Sequence, residues 1–146
     1  MWALRSIRNI IRQQSTDRRN GLLKDPVCLT SAELKWLRSL IDQHKVHTFY
    51  VWGKWLRERA FVLRQDRYEC QMCKAAGRYR RAEVVHHIRH LKQRPDLALS
   101  MYVQAEDGTQ QRQLISLCTA CHEACHPERL KHRKQKPTFT TPERWD

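Results

Sequence analysis

Apolar residues recur along this chain first with the period of a helix and later with that of a strand. Leu4, Ile7 and Ile11 share one helical face, with Arg5, Arg8 and Arg12 on the other side. A polar break, "STDRRNG", follows, and then "TSAE" at 30–33 fits a capping box, with Thr30 as N-cap and Glu33 reaching back to it. The helix opened there is expected to run to about Gln43, turning Leu34, Leu37, Leu40 and Ile41 inward. A second helix fits Phe49 to Leu63, where Phe49, Trp52, Leu56, Ala60 and Leu63 keep the period and Gly53 interrupts it. Past "RQDRYEC" the period shortens. Residues 82–88, "AEVVHHI", read as a short strand, and "LSMYVQAEDGTQQRQLISL" reads as a hairpin turning at Asp107-Gly108. A last helix is expected from near Thr119 through His126 toward Leu130, followed from Pro137 by a loose tail. No internal repeat or low-complexity segment is visible.

Charge narrows the class of partner. Across 146 residues, 28 Lys and Arg stand against 15 Asp and Glu, a net of +13. Such an excess favours a polyanion, nucleic acid before an anionic membrane, over a merely solvated basic surface. With 40% hydrophobic residues and only four glycines and five prolines, the chain can fold around a small core rather than stay disordered. No apolar run approaches transmembrane length, and no secretory segment is evident, so a cytoplasmic location is expected and no membrane partner. The Arg-rich, acid-free start "MWALRSIRNIIRQQ" also has the composition of a mitochondrial presequence.

The six cysteines then read as metal ligands before disulfides. Cys70 and Cys73 form one C-x2-C pair, and Cys118 and Cys121 form another. Each pair turns two thiolates toward one point, and two pairs complete a tetrahedral zinc site that clasps the intervening ββ unit. Cys28 and Cys125 are left over as small apolar residues, although Cys125 is close enough in sequence to substitute as a ligand. The histidines suggest a second site. His86 and His87 are neighbours on a strand and point to opposite faces. His122 and His126, four apart on the expected helix, share a face. His86 with His122 and His126 makes a three-histidine site that leaves positions open for water and phosphate. His44, His47 and His132 read as structural or solvent-facing, and His90 as a candidate phosphate contact.

The stretches "CQMC", "VVHHI" and "QLISLCTACH", together with His126, resemble an HNH endonuclease with the ββα-metal active site, over roughly residues 49–130. The lead-in "FYVWGKWLRERAFVLRQDRYECQMC" is similar to small bacteriophage HNH proteins, in which the nuclease often accompanies the terminase that packages the genome. The resemblance implies an α+β fold: a small ββα-metal module clasped by a four-cysteine structural zinc, with an N-terminal helical extension. It implies His87 as general base and His86, His122 and His126 as ligands of a catalytic divalent ion (magnesium, manganese, nickel or zinc). Cys70, Cys73, Cys118 and Cys121 would hold the structural zinc. The family's Asn, nine residues before the first helix histidine, falls on Gln113, an amide one methylene longer.

The expected organisation is a basic helical extension at 1–45, the nuclease domain at 46–134 and a flexible tail at 135–146. Arg5, Arg8, Arg12 and Arg89, with Lys131, Arg133 and Lys134, are the expected DNA contacts. The function expected is metal-dependent hydrolysis of DNA phosphodiesters, in the host cytoplasm if phage-encoded, with terminase large subunit and portal as partners. The alternatives are a catalytically weak zinc-stabilised DNA-binding module and a packaging component acting through protein contacts.

Overall fold

Thr30 starts the first described helix as the capping box requires: its hydroxyl accepts from the Glu33 N–H at 3.2 Å, and Glu33 accepts from the Thr30 N–H at 2.8 Å. The helix, α1, spans Ser31–Asp42 in the computed structural model, which describes residues 27–130. The arginine-bearing segment at 4–12 and the tail from 131 onward lie outside those residues.

The single second helix expected from Phe49 to Leu63 is two. A short α2 (His47–Tyr50) ends at Val51, and α3 runs Gly53–Gln65. Gly53 is therefore the first residue of a helix, following an extended Trp52, and not a flaw inside one. The break moves the buried face: Trp55, Glu58, Val62 and Leu63 turn inward, and Leu56, expected inside, is 45% exposed. A small helix, α4 (Gln71–Ala75), follows. It ends in a Schellman turn with Gly77 in the left-handed region, the Arg78 N–H donating to the Cys73 carbonyl. The turn that ends α3 has the same bonds, Arg67 N–H to the Arg64 carbonyl and Tyr68 N–H to the Leu63 carbonyl, but Arg67 occupies the glycine position. A side chain there costs about 1–2 kcal/mol relative to glycine.

Among the described residues, four strands form two separate two-stranded sheets. The long segment expected as one hairpin divides at Gln113. Its first part is a hairpin, β2 (Tyr102–Gln104) with β3 (Gln110–Arg112), turning through Gly108 at φ 76°. Its second part, β4 (Leu114–Leu117), leaves that hairpin and pairs antiparallel with β1 (Val84–His87). The last helix also divides, into α5 (Thr119–Ala124) and α6 (Pro127–Leu130), because Pro127 has no N–H to continue a ladder.

The β1–β4 ribbon is buried between two cores. Val85 and Leu114 face a helical core that contains Leu37, Leu40, Phe49, Trp55, Val62 and Leu91. Ile115 and Leu117 face a smaller core built from Met72 and the four paired cysteines. Behind the ribbon sits a buried ion pair. Arg112 Nη2 lies 2.7 Å from both oxygens of Asp66, its Nε donates to the Leu114 carbonyl at 2.7 Å, and Asp66 also accepts from the Ser116 N–H at 3.1 Å. These bonds tie the end of α3 to the point where β3 hands over to β4. Truncating one partner leaves the other charged and buried, at a cost of about 3–5 kcal/mol. Arg112→Ala is expected to lose about that much in urea unfolding, and the double variant Asp66→Leu/Arg112→Leu distinctly less, since it buries no lone charge.

Candidate active site and metal centres

The two C-x2-C pairs meet because each occupies the start of a helix. Cys70 caps α4 and Cys118 caps α5, both extended, and Cys73 and Cys121 follow within the first turn. All four thiols are free and buried, with every sulfur within 4.8 Å of the others. Cys73 Sγ lies 3.6 Å from Cys121 Sγ and 4.0 Å from Cys118 Sγ. A disulfide would need about 2.05 Å, whereas sulfurs at the corners of a tetrahedron with 2.3 Å metal bonds lie about 3.8 Å apart. The electrostatics agree. Burial pushes Cys73 and Cys121 up, the second strongly, and neighbouring sulfurs add to the rise at Cys121. Burial also raises Cys118, but the Cys121 backbone N–H, the neighbouring thiols and Arg80 outweigh it and bring that thiol down to about 7. Four thiolates cannot coexist there without a cation among them, and the cluster could hold zinc. Cys125 stays outside it, with its sulfur 3.9 Å from Met72 Sδ and its thiol pushed up to about 11 by burial.

The histidines divide by strand face. His86, paired with Ile115, points to the α5 side. There its ring centroid lies 5.5 Å from that of His122 and 5.0 Å from that of His126, and the nitrogens of the three approach within 4.8 Å of one another. His126 falls in the break between α5 and α6, not on a continuous helix as expected, yet its ring is 4.9 Å from His122. Its Nδ1 lies 3.0 Å from Glu128 Oε1, which leaves Nε2 for a metal. Burial, and then the other histidines, lower His86 to about 3, so its ring is in the neutral, metal-binding form at pH 7.

His87 points the other way. Its ring stacks on Trp55 at 4.9 Å and 20°, with Phe49 and Tyr50 at 6.3 and 6.4 Å. Nε2 lies 2.9 Å from the Ala98 carbonyl. A carbonyl only accepts, so in the neutral ring Nε2 carries the hydrogen and Nδ1 keeps its lone pair. Burial lowers this histidine to about 4, against a smaller opposing effect of the Ala98 bond. Gln113, fully buried, bonds one residue's backbone at both ends of its amide: Oε1 accepts from the Arg89 N–H at 3.1 Å, and Nε2 donates to the Arg89 carbonyl at 3.0 Å. The Ile88 N–H donates to the Gln113 carbonyl at 2.8 Å. The segment leaving β1 is thereby pinned two residues past His87.

Arg89 is half-buried and donates to Gln111 Oε1 at 2.7 Å. Arg5, Arg8, Arg12, Lys131, Arg133 and Lys134 lie outside the described residues. His90 is exposed, with its ring 6.4 Å from His86 and 5.6 Å from His126. His44 and His47 are exposed and far along the chain from both clusters. Three participants had no signature in the sequence. The Ala98 carbonyl is backbone, Trp55 looks like any core aromatic, and Glu128 lies beyond the helix break that lets it reach back to His126.

No family model matches the chain, and no curated protein does. Among solved structures it is similar to that of a deep-sea thermophilic bacteriophage GVE2 HNH endonuclease with manganese ion. The TM-score is 0.48, and the match, 30% identical, covers 68% of this chain and 97% of that one. Identity at that level, maintained over nearly the whole of that protein, places this chain in the HNH endonuclease family of nucleases.

Proposed function

We propose that this nuclease hydrolyses DNA phosphodiesters in a metal-dependent reaction, with His87 as general base. The observation that carries the reading is the pair of adjacent histidines: His86 turns into a three-imidazole cluster and His87 is fixed beside it with one nitrogen unprotonated. His86, His122 and His126 would hold a divalent ion, which would supply positive charge to the scissile phosphate. Manganese accompanies the GVE2 endonuclease in its crystal structure; magnesium, nickel and zinc suit the same donors. The bond from Nε2 to Ala98 and the Trp55 stack fix the His87 ring, and Nδ1 takes a proton from water as it attacks phosphorus in line. Gln113 braces the strand end behind that base. The net charge of +13 supports DNA as the polyanion, and the lead-in's likeness to small bacteriophage HNH proteins supports action with terminase large subunit and portal in the host cytoplasm.

One observation favours a second assignment of the base. His87 is 6% exposed, while His90, near the same cluster, is open to solvent. Supercoiled plasmid, incubated with and without each divalent ion, tests both assignments. The parent is expected to nick only with metal. His87→Ala is expected to lose about 10²–10⁴-fold with its zinc content unchanged, and His90→Ala much less. The reverse order would move the base to His90, and metal-independent or absent cutting would sink the proposal.

The four-cysteine clasp is expected to carry about one zinc per chain. Structural zinc contributes folding free energy on the order of 10 kcal/mol in small modules. Cys70→Ser is therefore expected to lose the zinc and its cooperative thermal transition. Folded parent protein free of tightly bound metal would contradict this.

Gln113 gives a graded test. Gln113→Ala leaves the Arg89 N–H and carbonyl without their buried partner, at about 1–3 kcal/mol. Gln113→Asn keeps the amide on a shorter stem. Nicking at saturating metal is expected within about tenfold of the parent for Asn and lower for Ala. Equal rates for parent and Ala would show that the amide braces nothing the reaction needs.

A further inference from the structure

Away from the histidines, the two turns that flank α4 lie side by side. Cys70 N–H donates to the Arg80 carbonyl, Ala82 N–H donates to the Tyr68 carbonyl, and Glu69 bridges to Arg81. This pairing sets Tyr68 beside Arg81, and Arg64, Arg67, Arg78 and Tyr79 flank the paired residues within four positions along the chain; all six are exposed. Tyr79 is 78% exposed, more than any other large hydrophobic residue described, and the Arg81 guanidinium lies 6.0 Å from the Tyr68 ring. Other cations nearby are already engaged: Lys74 pairs with Glu69 at 3.3 Å, and the cysteine cluster, Cys118 first, stabilises the charge on Arg80. Asp66, the remaining acid of the turn, is buried against Arg112. Among the described residues, none of the four arginines of the face forms an ion pair with a carboxylate.

A backbone anomaly coincides with this face. Only three non-glycine residues described have positive φ, and two of them are Arg67 at 52° and Tyr68 at 55°. The matching turn after α4 uses Gly77 and is relaxed, while the one after α1 has the same bonds with a single non-glycine residue, His44 at 56°; only the turn at 67–68 places two such residues in succession. Folding alone would be better served by glycine at 67, so the strained turn holds a cation and an aromatic ring outward against local preference.

We propose that this arginine–tyrosine face is a second DNA-binding surface, gripping the sugar–phosphate backbone of duplex flanking the cut. The chemistry fits: unpaired guanidiniums match phosphates in a fork, and phenol hydroxyls donate to phosphate oxygens. The chain from Arg81 to His86 spans at most about 17 Å, the length of about five base pairs at 3.4 Å each, so one duplex can meet both. This surface rests on the reading of DNA as substrate, and its test is kept separate from cutting.

Fluorescence anisotropy of the full chain with a labelled duplex, without added divalent metal, gives affinity across a salt series. Each lost phosphate contact lowers the slope of log K on log salt by about 0.9. Arg67→Gly is the sharpest probe, because it relieves strain while removing the charge. It is expected to melt no lower than the parent, to flatten the slope by about 0.9 and to bind roughly threefold to tenfold more weakly. Arg78→Ala/Arg81→Ala is expected to flatten the slope by about 1.8. Arg94→Ala, whose guanidinium is paired with Asp96 at 2.7 Å, serves as the control for net charge and is expected to change the slope little. Unchanged slopes in the face variants, or an equal loss in the Arg94 control, overturn the surface. Plasmid nicking by the parent reports on the nuclease reading independently, so failure of one does not conceal failure of the other.

Discussion

The alternation of side chains along β1 is the constraint on which this molecule is organised. A strand sends neighbouring residues to opposite faces, and here both faces of the ribbon are buried. His86 must therefore enter one core and His87 the other. The first joins His122 and His126 beside the cysteine cluster, and the second stacks on Trp55 in the helical core. A slip of one residue in the pairing with β4 would exchange the two histidines and dismantle both environments at once. Much of the remaining structure can be understood as holding that register. Gln113 pins the strand's exit through Arg89, the Asp66–Arg112 pair fixes where β4 begins, and the cysteine pairs hold the ends of the unit together.

The same division accounts for the charge states of the histidines. Both lie in cores that penalise a positive ring, which lowers His86 to about 3 and His87 to about 4. Neutral imidazole is the form that binds a metal and the form that accepts a proton. Burial thus prepares both residues for neutral pH. The difference between the two sites lies in the second nitrogen. At His87 the Ala98 carbonyl commits Nε2 as a donor, while at His126 the Glu128 carboxylate engages Nδ1. Opposite nitrogens are engaged, so opposite nitrogens remain available.

Much of the candidate site's geometry was legible in the sequence because its signals are short in range. The C-x2-C pairs, the adjacent histidines, the capping box at Thr30 and the Asp107-Gly108 turn each depend on a few residues, and the structure places each of them as expected. The errors arose where a single residue redirected the chain. Periodicity ran through Gly53 and through Pro127, and both begin new helices instead. Gln113 looked like part of a hairpin arm, but it is the point at which the chain leaves one sheet for another. Contacts between distant residues were not legible at all. Nothing local to Asp66 or Arg112 announces that they pair across 46 positions.

Three of the described helices end in Schellman turns, with His44, Arg67 and Gly77 at the left-handed position, and the two that flank α4 show how far stability alone explains the sequence. They share the same bonds and flank the same small helix, but one carries Gly77 and the other Arg67. Identical geometry with different residues separates what the fold needs from what else acts on the sequence. Position 77 has the residue the turn prefers. Position 67 does not, and the adjacent Tyr68 is left-handed as well, so strain is concentrated on one exposed corner. Such strain persists where the surrounding structure over-determines it. Neither side chain belongs to the buried core: Arg67 is exposed, and Tyr68 is 41% exposed. What they have is charge, aromatic surface and, at Tyr68, proximity to Arg81, all of which matter to a polyanion and none of which matters to the core.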